Sequence, residues 1–334
     1  LQDKKMRLVQ FRDEEGNAAV AVVEDNATLV PLRGVASVRD LAKIALADGT
    51  TLASAASAHM GDARIDYEDV ARSRRLLPPI SHTDPAHFLV TGTGLTHLGS
   101  ASARANMHTA ANKQADETDS MKMFRMGVEG GKPAAGQKGV QPEWFYKGDG
   151  SVVVAPGADI PSPSFALDGS EEPEIAAIYM IDDDGTPVRL GFALGNEFSD
   201  HVMERQNYLY LAHSKLRACA LGPELLLGDL PSHVEGTSRL YRDGEVIWEK
   251  QFVSGEDNMS HSLANLEYHH FKYDLFCHPG DIHAHYFGTA TLSFADGVTT
   301  QDGDEFEISS ETFGRAIRNR LKVQEERPVK VRAI

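Results

Sequence analysis

The chain has 334 residues, 41% of them hydrophobic, and a formal net charge of −16. That length suits one large domain plus a small one, and so acidic a surface argues against nucleic acid or anionic membrane as partners, because it repels phosphate. No apolar run reaches the ~20 residues that span a bilayer, and two cysteines, Cys219 and Cys277, without Cys-x-x-Cys spacing make neither a disulfide framework nor a zinc site.

Residues 1–9 lack the apolar block of a signal peptide, which with the sparse cysteines predicts a reducing cytoplasm. Strands are predicted at 7–11, 18–23 and 28–30, with polar turns at 13–16 and 24–26. Ser37-Val-Arg-Asp40 reads as a capped helix start, leading into helices at 41–47 and 51–59. These make a small β-rich N-terminal domain, 1–76, followed by a Pro-rich linker at 77–86 and a larger domain over 87–334.

A strand at 87–91 enters Gly92-Thr-Gly-Leu-Thr-His97, whose glycines are too few and wrongly placed for a dinucleotide fingerprint. Residues 101–140 are polar and rich in Ala, Asn, Lys, Met and Gly, and read as a short helix followed by a mobile, lid-like segment. Short strands then dominate, at 144–147, 151–154, 174–181, 188–194, 224–228, 238–241, 246–252, 282–294 and 304–309, with helices at 199–212 and 261–275. The fold class is α+β, rich in β.

Chemistry concentrates around Glu172-Pro173-Glu174, which opens the apolar strand 175–181. Side chains alternate along a strand, so Glu172 and Glu174 point the same way and repel unless a cation sits between them. Alone, such a pair reads as a solvated strand end. A third carboxylate, Glu197, lies where the strand 188–194 runs into Gly195-Asn-Glu-Phe-Ser-Asp200, with Ser199 as the predicted N-cap. Three carboxylates with open positions suit Mg²⁺ or Mn²⁺ better than zinc. Glu171 is the alternative if the register shifts by one residue. His283-Ala-His285 alternates on a strand but has no third His or Cys at fitting spacing, so zinc is not predicted there.

Downstream come Lys215, the turn Leu221-Gly-Pro223, Pro279-Gly-Asp281 and Gly303-Asp-Glu-Phe-Glu307; upstream lies Pro142-Glu-Trp-Phe-Tyr-Lys147. This order, across roughly residues 85–321, resembles the fumarylacetoacetate hydrolase family, in its branch associated with bacterial sugar-acid degradation. One departure is plain: the third metal ligand of that family is usually Asp, and here it is Glu197. The resemblance implies a mixed β-roll with short flanking helices, a homodimer, and a metal-dependent reaction on a small anionic 2-oxo acid. It makes Lys215 the active-site lysine, Lys147 a pocket residue, His97 the lid histidine and Thr289 a pocket-lining threonine. Arg104, seven residues after His97, falls on the same helical face and is placed to grip a substrate carboxylate.

Two outcomes share an enolate at C3: hydrolysis of a C3–C4 bond in a 2,4-diketo acid, or loss of a C4 hydroxyl from a 2-keto-3-deoxy acid. Hydrolases of the family pair the lid histidine with a Glu about one helical turn later. Here Ser100 and Ala101 stand there, and no carboxylate follows until Asp116. That favours the dehydratase, with His97 as acid and Lys215 or a site carboxylate as base. Hydrolysis, decarboxylation and non-catalytic sugar-acid binding are the alternatives.

Overall fold

The computed structural model describes residues 5–98 and 118–334. The strands are β1 (Arg7–Arg12), β2 (Ala18–Val23), β3 (Thr28–Pro31), β4 (Ile65–Asp66), β5 (Phe88–Gly94), β6 (Glu143–Asp149), β7 (Val153–Val154), β8 (Asp159–Ser162) and β9 (Pro173–Ile181). There follow β10 (Pro187–Asn196), β11 (Cys219–Leu221), β12 (Glu224–Leu226), β13 (Val234–Arg242), β14 (Glu245–Ser254), β15 (Ile282–Tyr286), β16 (Glu305–Ser309) and β17 (Ile317–Val323). One sheet of 12 strands runs β4-β3-β2-β1-β12-β10-β9-β15-β5-β6, with β11 on β10 and β7 on β11. A second, of five strands, runs β14-β13-β16-β17-β8.

The unbroken apolar run of β9 is explained by its place: every residue of it is buried, and it lies between β10 and β15. A strand covered on both faces needs no polar alternation. Ala176, Ile178 and Met180 pack with Leu41, Ala42 and Ala56 of the N-terminal helices. Ile175, Ala177 and Tyr179 face the other way, onto Phe252, Ile308 and Ile317 of the second sheet. Truncating Ile178 to Ala would open a cavity costing about 2–5 kcal/mol. β1 pairs antiparallel with β12, so the N-terminal strands continue the sheet that carries the site.

Several predicted elements differ from the structure: the strand expected over 151–154 is a 3₁₀ turn Gly150–Val152 and the two-residue β7, and the helix expected over 261–275 is Leu263–Phe271 followed by a 3₁₀ turn Asp274–Phe276. The helix expected over 199–212 is His201–Gln206, a 3₁₀ turn Tyr208–Tyr210 and a short helix Leu211–Lys215. Asn207 breaks it: its backbone is extended, and its side chain caps the turn by accepting from Leu209 N. The strand expected over 282–294 stops at Tyr286. Gly288 there has φ +92°, and a Cβ would lie 2.6 Å from Thr96 Oγ1 and 2.8 Å from Thr93 O, so only glycine fits the turn.

Candidate metal centre

Glu172 sits at the head of β9, Glu174 two residues on, and Glu197 just past the end of the neighbouring β10. Pairing of Asn196 with Pro173 and Gly195 with Glu174 sets the three side chains together. One ligand oxygen from each lies within 4.8 Å of the others, and all three residues are buried. Glu171 is turned away: its carboxylate accepts from Ser293 N at 2.9 Å and Ser293 Oγ at 2.7 Å. Burial pushes Glu171 up to about 7, against the pull of those bonds.

Cations meet the carboxylates directly. Lys215 Nζ donates to Glu172 Oε1 and Glu197 Oε2, both at 2.5 Å, and to Ser199 Oγ at 3.1 Å. Lys147 Nζ lies 2.5 Å from Glu197 Oε1 and donates to Phe198 O at 2.6 Å and Lys215 O at 3.1 Å. His201 Nε2 meets Glu172 Oε1 at 2.8 Å. So three carboxyl groups face three groups that can be positive, which is what keeps buried charges tolerable.

The protonation pattern follows. Burial opposes charge on Glu172, yet Lys215 and His201 win and hold it well below the usual carboxylate range. Burial and the neighbouring charges of Glu197 and Glu172 push Glu174 well above it. Burial carries Glu197 up to about 7 despite Lys147 and Lys215. Lys215 is raised above its ordinary value because Glu172 and Glu197 outweigh the cost of its burial, so it stays an ammonium. Three hard carboxylate oxygens at this spacing, with Gly288 N fixing Glu174 Oε2 at 2.7 Å, are a fitting donor set for Mg²⁺ or Mn²⁺.

The other expected site residues fall as follows. Lys147 is fully buried, and its three protons go to protein acceptors. Lys147 thus holds Glu197. His97 is buried, with Nε2 at 2.8 Å from Ser254 Oγ and Nδ1 at 3.1 Å from Thr96 Oγ1. Burial lowers it to about 4, so the ring is neutral. Its Nδ1 lies 3.7 Å from the position of a Cβ on Gly288, the residue that grips Glu174. Thr289 is half-buried beside that glycine and accepts from Thr291 N at 3.2 Å. Arg104 lies outside the described residues, as does 99–117 of the expected lid. Of the rest, Asp119–Gly130 is a helix, and 131–140 is tied to the helix Leu263–Phe271 through Asn265 and His269.

Ser199 is not the N-cap. Asp200 takes that place, accepting from Met203 N at 2.9 Å, and frees the Ser199 hydroxyl for the Glu197 carboxylate. His201 and Ser199 were not foreseen as site residues, and Gly288, expected with Thr289 to line the pocket, instead grips Glu174. The signal for the first two was position alone: both lie within four residues of Glu197.

No protein-family model matches the chain. Over 114 residues, 33% of the chain, it is 30% identical to a probable 2-keto-3-deoxyxylonate dehydratase of Haloferax volcanii. Over 115 residues it is 32% identical to 2-dehydro-3-deoxy-D-arabinonate dehydratase of Saccharolobus solfataricus. The matched stretches span 38% and 37% of those relatives. Among solved structures, 2-keto-3-deoxy-D-arabinonate dehydratase in its apo form superposes with a TM-score of 0.70 at 21% identity, covering 96% of this chain and 100% of that one. The same enzyme complexed with magnesium and 2,5-dioxopentanoate gives 0.69 at 20% identity, with the same coverage. A 5-carboxymethyl-2-hydroxymuconate delta-isomerase from Mycobacterium smegmatis gives 0.58 at 18% identity, again covering 96% of this chain and 100% of that one. The fold is therefore the one these enzymes share. Within it, the chain resembles the sugar-acid dehydratase branch of the fumarylacetoacetate hydrolase family.

Proposed function

We propose that this chain is a divalent-metal-dependent dehydratase of a 2-keto-3-deoxy sugar acid. The observation that carries the reading is the buried group Glu172, Glu174 and Glu197 with the Lys215 ammonium against it. Magnesium and 2,5-dioxopentanoate in a structural relative support both metal and substrate class. A cytoplasmic homodimer is the setting that the family resemblance suggests.

Mg²⁺ or Mn²⁺ held by the three carboxylates would supply Lewis acidity toward the carboxylate and 2-oxo oxygens of the substrate. Lys215 offers a fixed positive charge where the C2 oxygen gains electron density as C3 loses its proton. The charge that Glu172 and Glu197 hold on Lys215 suits it to that stabilising role and supports a site carboxylate as the C3 base. With the C4 hydroxyl leaving as water, a pentonate gives a C3–C4 alkene whose C5 hydroxyl side tautomerises to the aldehyde, 2,5-dioxopentanoate. His97, neutral and backed by Ser254, is the group through which the proton for the departing hydroxyl passes.

C–C hydrolysis would need an activated water. Among the described residues the His97 ring bonds Ser254 and Thr96 and no carboxylate, which supports dehydration. The test is a product assay with Mg²⁺. A 2-keto-3-deoxypentonate is expected to give 2,5-dioxopentanoate and no pyruvate. Pyruvate from a 2,4-diketo acid, with the 4-hydroxy compound untouched, would overturn the dehydratase reading.

A further inference from the structure

The loop that delivers Glu172 is clasped from behind. His201, the first residue of the helix His201–Gln206, is buried, and its ring spans from Glu172 back to the residues just before it. Nε2 meets Glu172 Oε1 at 2.8 Å. On the far side Nδ1 meets Ser170 Oγ at 2.8 Å and lies 3.5 Å from Asp168 Oδ2, while Ser170 Oγ itself donates to Asp168 Oδ2 at 2.6 Å. The ring plane is fixed by stacking on Phe294, centroids 5.2 Å apart and 22° between planes. The backbone that carries it is fixed as well. Ser170 and Ser199 form a two-way backbone bridge, and Asp200 both caps the helix and accepts from Arg217 Nη2 at 3.0 Å. Every rotation of the imidazole breaks one of these contacts.

We infer that His201 is a positioning residue for the metal ligand Glu172, orienting its carboxylate through a chain running Asp168–Ser170–His201–Glu172. This inference rests on the metal reading of the three carboxylates. The physical reason is general: a ligand oxygen that accepts a fixed hydrogen bond keeps one rotamer and loses less freedom on meeting an ion. Partners of this kind change metal affinity by about 10–100-fold. His201 touches neither substrate nor reacting atoms in this account; it acts through Glu172. Lys215 also donates to Glu172 Oε1, but it shares its protons with Glu197 and Ser199, and Lys147 is committed to Glu197, so His201 is the partner that ties Glu172 to the loop behind it.

The test is direct Mn²⁺ binding to purified protein, by calorimetry and by electron paramagnetic resonance of the free ion, with no turnover involved. In His201→Gln the side-chain amide nitrogen can still donate to Glu172, whereas His201→Ala removes the donor. Expected results are a dissociation constant about 10–100-fold weaker for His201→Ala and one within about threefold of wild type for His201→Gln. Asp168→Asn is expected in between. Alanine binding Mn²⁺ as tightly as wild type, whatever its melting temperature, overturns the positioning role and leaves the metal centre standing. Wild-type protein that binds no Mn²⁺ overturns the metal centre itself, and this inference with it. Equal loss in Ala and Gln variants also overturns it, because a lost donor would then not be the cause.

Discussion

Strands β9 and β15 carry two buried polar clusters that handle charge in opposite ways. At the head of β9, Glu172 is balanced by Lys215 and His201, Glu197 by Lys215 and Lys147, and Glu174 is held by Gly288 N. Farther along, His283 and His285 of β15 stand opposite Tyr179 and Ala177 of β9, against His270. There, among the described residues, no carboxylate pairs with the rings: Asp281, the nearest charge acting on His283, pairs with His87 and His278 instead. Trp144 Nε1 donates to His270 Nδ1 at 3.2 Å, so His270 must donate from Nε2 to His283 Nδ1, 3.0 Å away. His285 Nδ1 meets Thr91 Oγ1 at 2.7 Å, and its Nε2 has no partner among the described residues. Burial lowers His283 to about 4 and His285 to about 3. One cluster keeps charge on Glu172, Lys215 and His201 because counter-charges are built in; the other is neutral because they are not.

The strongest break of the first cluster is at its ligands. Glu174→Gln and Glu197→Gln are each expected to weaken Mn²⁺ binding by at least about 100-fold and to abolish turnover. Metal content and calorimetry check this, and wild-type affinity in both would misplace the centre. Removing a counter-charge instead tests the balance. Lys147→Met leaves Glu197 buried without one of its two ammonium partners, with an expected loss of about 3–5 kcal/mol in urea unfolding. A loss under about 1 kcal/mol would mean that this pair behaves as an exposed one.

His97 lies outside the charge balance, so its removal should spare the metal, although the cavity and the unpartnered Ser254 hydroxyl cost stability. His97→Ala is expected to lower kcat about 100-fold with KM within a few-fold, the pattern of a group that acts in the transition state. A change confined to KM would make His97 a binding residue.

The second cluster gives the smallest effect, and one of defined sign. A folded-state pKa near 3 for His285, against ~6.5 unfolded, means that its neutral form stabilises the fold fully above ~6.5 and progressively less as pH falls. Between pH 7.5 and 5 the loss from this one group is about 2 kcal/mol. His285→Phe should therefore melt with a shallower pH dependence than wild type over that range, read by calorimetric scans. Parallel curves would show that His285 does not set the slope.

Much of this was legible in the sequence for physical reasons. The apolar run 175–181 reads as a strand, and the structure shows every residue of it buried; Ser37 caps its helix as its spacing predicts, accepting from Asp40 N. The carboxylate group followed from alternation within one strand plus a junction on the next. What stayed hidden depended on contacts across the sheet. Lys147 was expected as a pocket residue, and only the approach of β6 to the turn after β10 turns it onto Glu197. His201 looked like a helix residue because its partner, Glu172, is 29 positions away. The end of β15 at Tyr286 was invisible because Gly288 turns for the sake of Thr93, Thr96 and Glu174, none of them local.

The pairing of β1 with β12 has a consequence for any shortened form of the chain. Cutting after residue 76 would strip β1 from Glu224–Leu226 and leave the rim of the twelve-stranded sheet without its neighbour. It would also remove Arg7, whose guanidinium holds the buried Glu224 at 2.6 Å, and Gln10, which accepts from Val38 N and donates to Pro78 O. The naked strand would offer unpaired amides and an unneutralised carboxylate at once, the first inviting self-association and the second opposing refolding. The N-terminal strands thus act as a permanent seal on the sheet, and a fragment that begins at the Pro-rich segment should collect in inclusion bodies rather than behave as a free-standing catalytic core.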